Sequence, residues 1–379
     1  MICRKYDENQ IKSSNLDIGI NSSANSGSEA YSLNEKILRL EYRGTNKFLK
    51  RSKKLPPGLR GIYLQSKVDP FHYDFVESGL KAFKKEWGHL KFDRIVSSSL
   101  PLATTLLAEK ISLIQDQAKW VCDFRDSPFN PRLPKVYKKT QQKHLNKTIL
   151  NADGFITVCE GLKDYAQMQF NKVNKKKPFE IVYNGFHQPN EAVNEALLGE
   201  FQNYKDKGFN LFVYTGSLYE EARINFLLDG IDSRKNPCDM VLLVGIQDAF
   251  KKEIEDLKLN VKLRFYPKVN LSTALKIQSM ADILLMTVWT NYITSFNGKI
   301  FEYLNANRPI VIDHQPHNDL ANYLAPFKNI FYANSDKERL LELYENALGT
   351  PIKQNSQALI SSTKRTTQFE KFEQFLTDI

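Results

Sequence analysis

No apolar run in this 379-residue chain approaches the roughly 18 residues that span a bilayer. The opening stretch MICRKYDENQIKSS is polar and lacks the apolar centre of a signal peptide, so the chain is expected in the cytoplasm. Cysteine is scarce: Cys3, Cys122, Cys159 and Cys238 are scattered, with no CxxC pair. Two of them sit in apolar strand-like runs (WVCDF, ITVCE), a pattern of buried reduced thiols rather than of a zinc site or a disulfide framework. Zinc-finger spacing and RNP-like aromatic motifs are missing as well, so the lysines have no reading element beside them and no nucleic-acid partner is expected. GxGxxG occurs nowhere, which counts against a nicotinamide or flavin dinucleotide enzyme.

What is there suits a globular protein of two ordinary domains, with 42% hydrophobic and 25% charged residues. The net charge of +10 is unevenly spread. Residues 1–186 hold 32 Lys and Arg against 19 Asp and Glu, a net of +13, whereas the remaining residues hold 21 against 24, a net of −3. Such asymmetry implies two domains with different partners. Clusters at Lys50 to Lys54, Val136 to Lys143 and Lys175 to Lys177 are either a solvated surface or a meeting point for anionic head groups or a diphosphate-bearing acceptor.

From Phe92 onward short apolar runs alternate with helical stretches. FDRIVSS, WVCDF, GFITVC and EIVYN read as strands, with helices near Pro101 to Ile114, Lys135 to Leu150 and Gly161 to Phe170. After His187 a polar stretch leads into a second series: NLFVYTG, DMVLLVG, VKLRFY, DILLMTV, PIVID and NIFYA. Strands separated by helical crossovers imply parallel sheets, hence an α/β chain of two Rossmann-like domains facing a cleft. The expected division is 1–186, 187–355 and a carboxyl-terminal helix in 356–379, with Phe369, Phe372 and Phe375 on one face and packing back across the first domain. The first 60 or so residues fit poorly, showing no apolar strand followed by a glycine-rich turn.

Ligands of open α/β sheets gather beyond the carboxyl ends of the strands. After NLFVYTG come Gly216 and Ser217, with Arg223 further on, and after DMVLLVG comes Gly245. These are either ordinary βα turns or loops whose amides and arginine meet an anion. The stretch FNGKIFEYLNANRPIVI opens a helix from about Lys299 to Asn305 behind an Asn297-Gly298 turn, and Asn307-Arg308-Pro309 ends it. Lys299 and Glu302 share a face. That is either a surface pair worth ~0.2–0.5 kcal/mol or a lysine for a diphosphate and a carboxylate for a ribose diol.

GKIFEYLNANRPIVI resembles the donor-site motif of GT-B-fold glycosyltransferases, in particular the retaining family 4 type. VYTGSLYEEARINFLL is similar to that family's diphosphate loop and EIVYNGF to its interdomain strand. WVCDFRDSP and FDRIVSSSLP are similar to first-domain strand ends of its bacterial polysaccharide and lipopolysaccharide members, and the likeness spans roughly Phe92 to Leu348. It implies that Glu302 binds the ribose, that Gly298 and Lys299 hold the diphosphate with the Gly216 amides close to it, and that Ser217, Gly245 and Asn297 belong to the same donor site. Arg223 would add positive charge, Asn184 and Gly185 would lie at the interdomain crossover, and Asp123 and Arg125 would line the acceptor side. Asp126 would be either a helper base or an ordinary capping or salt-bridging aspartate. The chain departs from the family pattern where Ser295 stands seven before Glu302, where Ser217 follows the loop glycine, and where a first-domain histidine gives way to Arg125-Asp126.

The resemblance implies sugar transfer from a nucleotide diphosphate to a glycan or lipid-linked acceptor in cell-surface polysaccharide synthesis, with retention and with peripheral contact to an anionic membrane. No DxD occurs, in line with a reaction that needs neither metal nor cofactor. Two other readings stand beside it: a GT-B pseudoenzyme that binds nucleotide sugar or a partner without turnover, and a nucleotide-sugar epimerase.

Overall fold

The apolar runs of the sequence become parallel strands in two separate units. The computed structural model describes residues 2–5, 38–41, 51–56, 59–60, 63, 72–99, 101–126, 135–171, 176–220, 223–288, 296–316 and 318–379. One unit comprises Met1–Thr157, Tyr165–Phe179 and Asp378–Ile379, the other Val158–Asp164 and Glu180–Thr377. Lys50, Lys175 and Ser295 lie outside the described residues.

In the first unit, Ile2–Lys5 (β1) and Leu38–Glu41 (β2) pair in parallel, with Ile2 opposite Leu38. These strands leave no periodic signature, because ICRK and LRLE are four residues long and half charged, too short for a pattern to stand out. Helix α1 (Tyr73–Glu86) precedes β3 (Arg94–Ser98), α2 (Ala103–Ser112), β4 (Lys119–Phe124), α3 (Lys135–Asn151), β5 (Gly154–Thr157), α4 (Glu160–Asn171) and β6 (Phe179–Ile181). The sheet runs in the order β3-β4-β5-β6. Trp120, Val121, Cys122 and Phe124 of β4 are all buried, as a strand covered on both faces requires. Phe124 stacks on Phe155 with ring centroids 5.5 Å apart, and the buried Trp120 indole donates to Ser97 Oγ at 2.9 Å. Val76 and Phe83 of α1 close a core with Ala103 and Leu107 of α2.

The second unit continues with α5 (Glu195–Asp206), β7 (Asn210–Thr215), α6 (Asn225–Ser233), β8 (Asp239–Val244), α7 (Asp248–Asp256), β9 (Lys262–Tyr266), α8 (Leu271–Met280) and β10 (Ile283–Met286). Then come α9 (Gly298–Ala306), β11 (Ile310–Ile312), α10 (Asn318–Leu324), β12 (Ile330–Tyr332), α11 (Lys337–Gly349), α12 (Gln357–Ser362) and α13 (Arg365–Asp378). The strands form one sheet, β12-β11-β10-β7-β8-β9, with every neighbouring pair parallel. Phe212, Val241, Leu243, Ile283, Leu285 and Val311 meet Leu227, Ile231, Leu340 and Tyr344 of the covering helices. Each such side chain contributes about 1.5–3 kcal/mol when fully buried.

The carboxyl-terminal segment is helical as expected, but its phenylalanines do not share a face. Phe375 is buried while Phe369 is 56% exposed. Steps of three residues lag the helical turn by about 60° each, so the first and third rings diverge. The buried face carries Gln368 instead, whose Oε1 accepts from the Tyr183 N–H at 2.9 Å. Through Thr377 the helix belongs to the second unit.

Candidate functional site

The chain order reverses between β7 and β10, the neighbours from which successive strands add outward in opposite directions. In such a sheet the carboxyl ends of the two central strands splay apart and leave a crevice. The residues that follow Val288 after β10 lie outside the described ones until Phe296, so the crevice is read from the β7 side and from α9.

Gly216, directly after β7, has φ +96, a backbone conformation open to glycine at no steric cost. A Cβ there would come within 3.3 Å of Lys299 Cε and 3.6 Å of its Nζ. The missing side chain therefore lets the lysine lie directly over the loop. Lys299 Nζ also sits 3.7 Å from the centre of the Tyr214 ring, a cation–π contact beneath a buried tyrosine whose hydroxyl donates to Ser217 O at 2.9 Å. Lys299 as a whole is partly exposed, while its ammonium packs against the Tyr214 ring and the Gly216 loop. Burial pushes its pKa down from 10.5 to about 7, with Glu302 pulling it partly back.

Gly245 follows β8 and lies against the same loop: a Cβ on it would stand 3.8 Å from Gly216 Cα. Gln247 locks the two loops, its Oε1 accepting from Leu218 N and its Nε2 donating to Leu218 O, both at 3.0 Å. Helix α9 opens with Asn297 as its cap, whose side chain accepts from Ile300 N at 3.2 Å. Gly298 is exposed in the first turn and has open space where a Cβ would be. Asn307, with φ 52, ends the helix in the left-handed region that asparagine tolerates.

Glu302 lies one turn into α9. Its Oε2 accepts from Gln278 Nε2 at 3.0 Å. Burial raises its pKa, opposed first by the Gln278 hydrogen bond and then by the charges of Lys299 and Arg365. A cavity of about 360 Å³ borders Glu302, lined also by Gln188, Asn190, Ser272, Lys276 and Asn305. An aromatic group of Tyr183, Phe296, Phe301 and Tyr323 braces the front of α9. Asn184 donates to Phe296 O at 3.0 Å, next to the helix cap. Gly185, with φ +68, packs so closely that a Cβ would lie 2.8 Å from Arg365 Cα.

Gly216, Ser217, Gly245, Asn297, Gly298, Lys299 and Glu302 are thus gathered at one edge of the second unit, with Asn184 and Gly185 supporting it. Arg223 is placed otherwise. Its guanidinium is engaged by Glu253 and Glu220, both at 2.5 Å, on an exposed surface. Gln278, Gln247, Tyr214 and Arg365 belong to the same surroundings but were not singled out from sequence. Glutamine and tyrosine inside helices and strands give no signal there that separates them from ordinary surface or core positions.

At the carboxyl end of β4 in the first unit, Asp123 is buried and its Oδ2 accepts from Arg125 Nε at 2.8 Å. Burial raises its pKa, with Arg125 opposing. Asp126 is exposed just beyond. Asp123 Oδ1 and the Oγ of the buried Ser99 have no hydrogen-bond partner among the described residues. Among the described residues no three His, Cys, Asp or Glu side chains are grouped as metal ligands, and no helix is long and apolar enough to cross a membrane.

No protein-family model matches the chain, and no curated protein sequence is similar to it. Solved structures are similar at low identity. A glycosyltransferase from Rickettsia africae is 15% identical with a TM-score of 0.61, over 90% of this chain and 85% of that one. HepE of Anabaena, in complex with UDP, is 14% identical with a TM-score of 0.58, over 81% of this chain and 82% of that one. The lipopolysaccharide outer core galactosyltransferase WaaB is 14% identical with a TM-score of 0.54, over 90% of this chain and 85% of that one. The α/β fold of this chain, parallel sheets covered by helices, matches that of these glycosyltransferase structures, which have the GT-B fold.

Proposed function

We propose that this protein is a glycosyltransferase that moves a sugar from a nucleotide-diphosphate donor to a glycan or lipid-linked acceptor. The observation that carries the reading is the meeting of Gly216, Gly245 and the desolvated Lys299 ammonium at the end of β7, with Glu302 one turn further along the same helix. A lysine held away from water beside two glycine loops is short of counter-charge, which a diphosphate supplies. Glu302, ionised, accepts from both ribose hydroxyls, and the cavity beside it has the volume for a nucleoside. The bound UDP of HepE, a protein of like fold, is in keeping with this donor class.

In this reading the bond from the anomeric carbon to the diphosphate oxygen breaks, and the new negative charge on the departing diphosphate is neutralised by Lys299, the Gly216 and Ser217 loop amides and the first turn of α9. The charge that the sequence assigned to Arg223 falls to Lys299, because Glu220 and Glu253 occupy the arginine. The acceptor hydroxyl forms the new bond on the same face, its proton passing to the leaving phosphate, so configuration is retained. Neither metal nor cofactor takes part. Asp123 and Arg125 line the acceptor side, and Asp126 accepts a hydrogen bond from the acceptor hydroxyl and polarises it, the proton still ending on the leaving phosphate. The basic first domain suits an acceptor at an anionic membrane surface on the cytoplasmic side, as in the synthesis of cell-surface polysaccharide.

The test is turnover. Incubation with nucleotide sugars and lipid-linked or oligosaccharide acceptors is expected to release nucleoside diphosphate, and Lys299→Ala to lower the rate by about 10²–10³-fold, the usual effect of losing one group that stabilises developing charge. Release with no acceptor-bound sugar, or a rate indifferent to Lys299, contradicts the assignment.

A further inference from the structure

We propose that Gln278 is a positioning residue of the nucleotide site: its side-chain amide orients the Glu302 carboxylate toward the ribose and ties it to the loop that holds the diphosphate. The inference rests on the donor-site reading above and adds to it a residue on a different helix.

Gln278 lies on α8 and is fully buried. Its Nε2 donates twice, to Glu302 Oε2 at 3.0 Å and to Thr215 Oγ1 at 2.9 Å. Glu302, when ionised, only accepts, so the nitrogen and not the oxygen of the amide faces it. Thr215 is the last residue of β7 and immediately precedes Gly216. One amide therefore spans the two halves of the site, the ribose carboxylate on α9 and the diphosphate loop on β7. Tyr303, also on α9, repeats the connection, its hydroxyl accepting from Thr215 N at 3.1 Å.

A packing role does not account for this residue. Gln278 Oε1 is buried with no hydrogen-bond partner among the described residues, and an unsatisfied buried group of that kind is destabilising. Methionine fills nearly the same volume without it. What glutamine supplies and methionine lacks is the pair of N–H bonds, one of them to a carboxylate that burial disfavours in its charged form.

Four charged groups share the surroundings of Glu302: Lys299 on its own helix, Arg365 at the start of α13, and Lys276 and Glu191 along the cavity. Nucleotide binding should then have two limbs in pH. Affinity rises as Glu302 ionises and falls as Lys299 loses its proton, at about pH 7 in the free protein. Gln278 acts on the acid limb alone.

The experiment is titration calorimetry of the full chain with UDP, GDP and ADP across pH, for wild type, Glu302→Ala, Gln278→Met and Thr215→Val. For whichever nucleotide binds, Gln278→Met is expected to weaken binding about tenfold at neutral pH and to move the acid limb up by about one pH unit, leaving the alkaline limb in place. Thr215→Val, which frees the far end of the amide, should move the same limb in the same direction by less, and it decides the matter if Gln278→Met does not fold. An acid limb that stays put in these variants, while Glu302→Ala loses binding, overturns the role of Gln278 and spares the donor site. A wild type that binds none of the three nucleotides overturns the donor-site reading itself, and the inference with it.

Discussion

Lys299 is the residue on which the proposed chemistry turns, and its stability cost can be measured. Its folded pKa of about 7 lies far below the ordinary 10.5. Below pH 7 the folded chain carries the desolvated charge in full. Between the two values the unfolded chain binds a proton that the folded one does not, so this group's contribution to stability improves as pH rises. Lys299→Met is therefore expected to raise Tm, by about 3–6 °C at pH 6 and by less at pH 9, in thermal melts of the unliganded protein. A gain independent of pH contradicts the desolvation argument. The same residue shows what a sequence discloses. That a lysine followed Asn297-Gly298 at a helix start was legible, because the capping residue and the helical period announce themselves. That its ammonium would rest on Tyr214 and against Gly216 was not, since this depends on strands more than eighty residues upstream. Arg223 shows the converse. It reads as a free cation after a glycine loop, but Glu253, thirty residues away, shares its guanidinium with Glu220.

Among elements, α9 decides the geometry of the candidate site, and its amino-terminal end is held in place. Asn297 caps it, the Tyr183 aromatic group braces it, and the chain at Asn184 and Gly185 pins its approach. Phe186 joins the chain entering α13 through two backbone hydrogen bonds, Phe186 N to Thr363 O at 2.6 Å and Arg365 N to Phe186 O at 2.7 Å. Gly185 makes that junction feasible, and both its positive φ and its closeness to the Arg365 backbone exclude a side chain. Gly185→Ala is expected to destabilise the protein by more than about 2 kcal/mol, read as a lower denaturant midpoint with unchanged slope. A neutral effect contradicts the packing described. Strand and helix positions were largely readable from alternation alone, because strands covered on both faces are continuous apolar runs. The exceptions have physical causes: half-charged four-residue strands at the amino terminus, and a terminal helix whose phenylalanine spacing drifts around its axis.

Across the whole molecule, charge divides between two units and so do the candidate residues, the basic unit carrying Asp123, Arg125 and Asp126, the other the glycine loops and α9. If the first serves the acceptor and the second the donor, their substitutions separate. Asp126→Asn is expected to lower turnover about 10–100-fold while leaving nucleotide affinity within twofold, measured by steady-state kinetics alongside calorimetry. Lost nucleotide affinity in that variant contradicts the division. The central claim is tested most directly by one measurement: thermal stability of wild type and Glu302→Ala against UDP, GDP, ADP, CMP and their sugars. The account predicts that one nucleoside diphosphate raises the wild-type Tm, by the equivalent of about 2.7 kcal/mol at 100 times its dissociation constant, and that Glu302→Ala abolishes the rise. Wild type indifferent to every nucleotide, or a rise that survives Glu302→Ala, contradicts it.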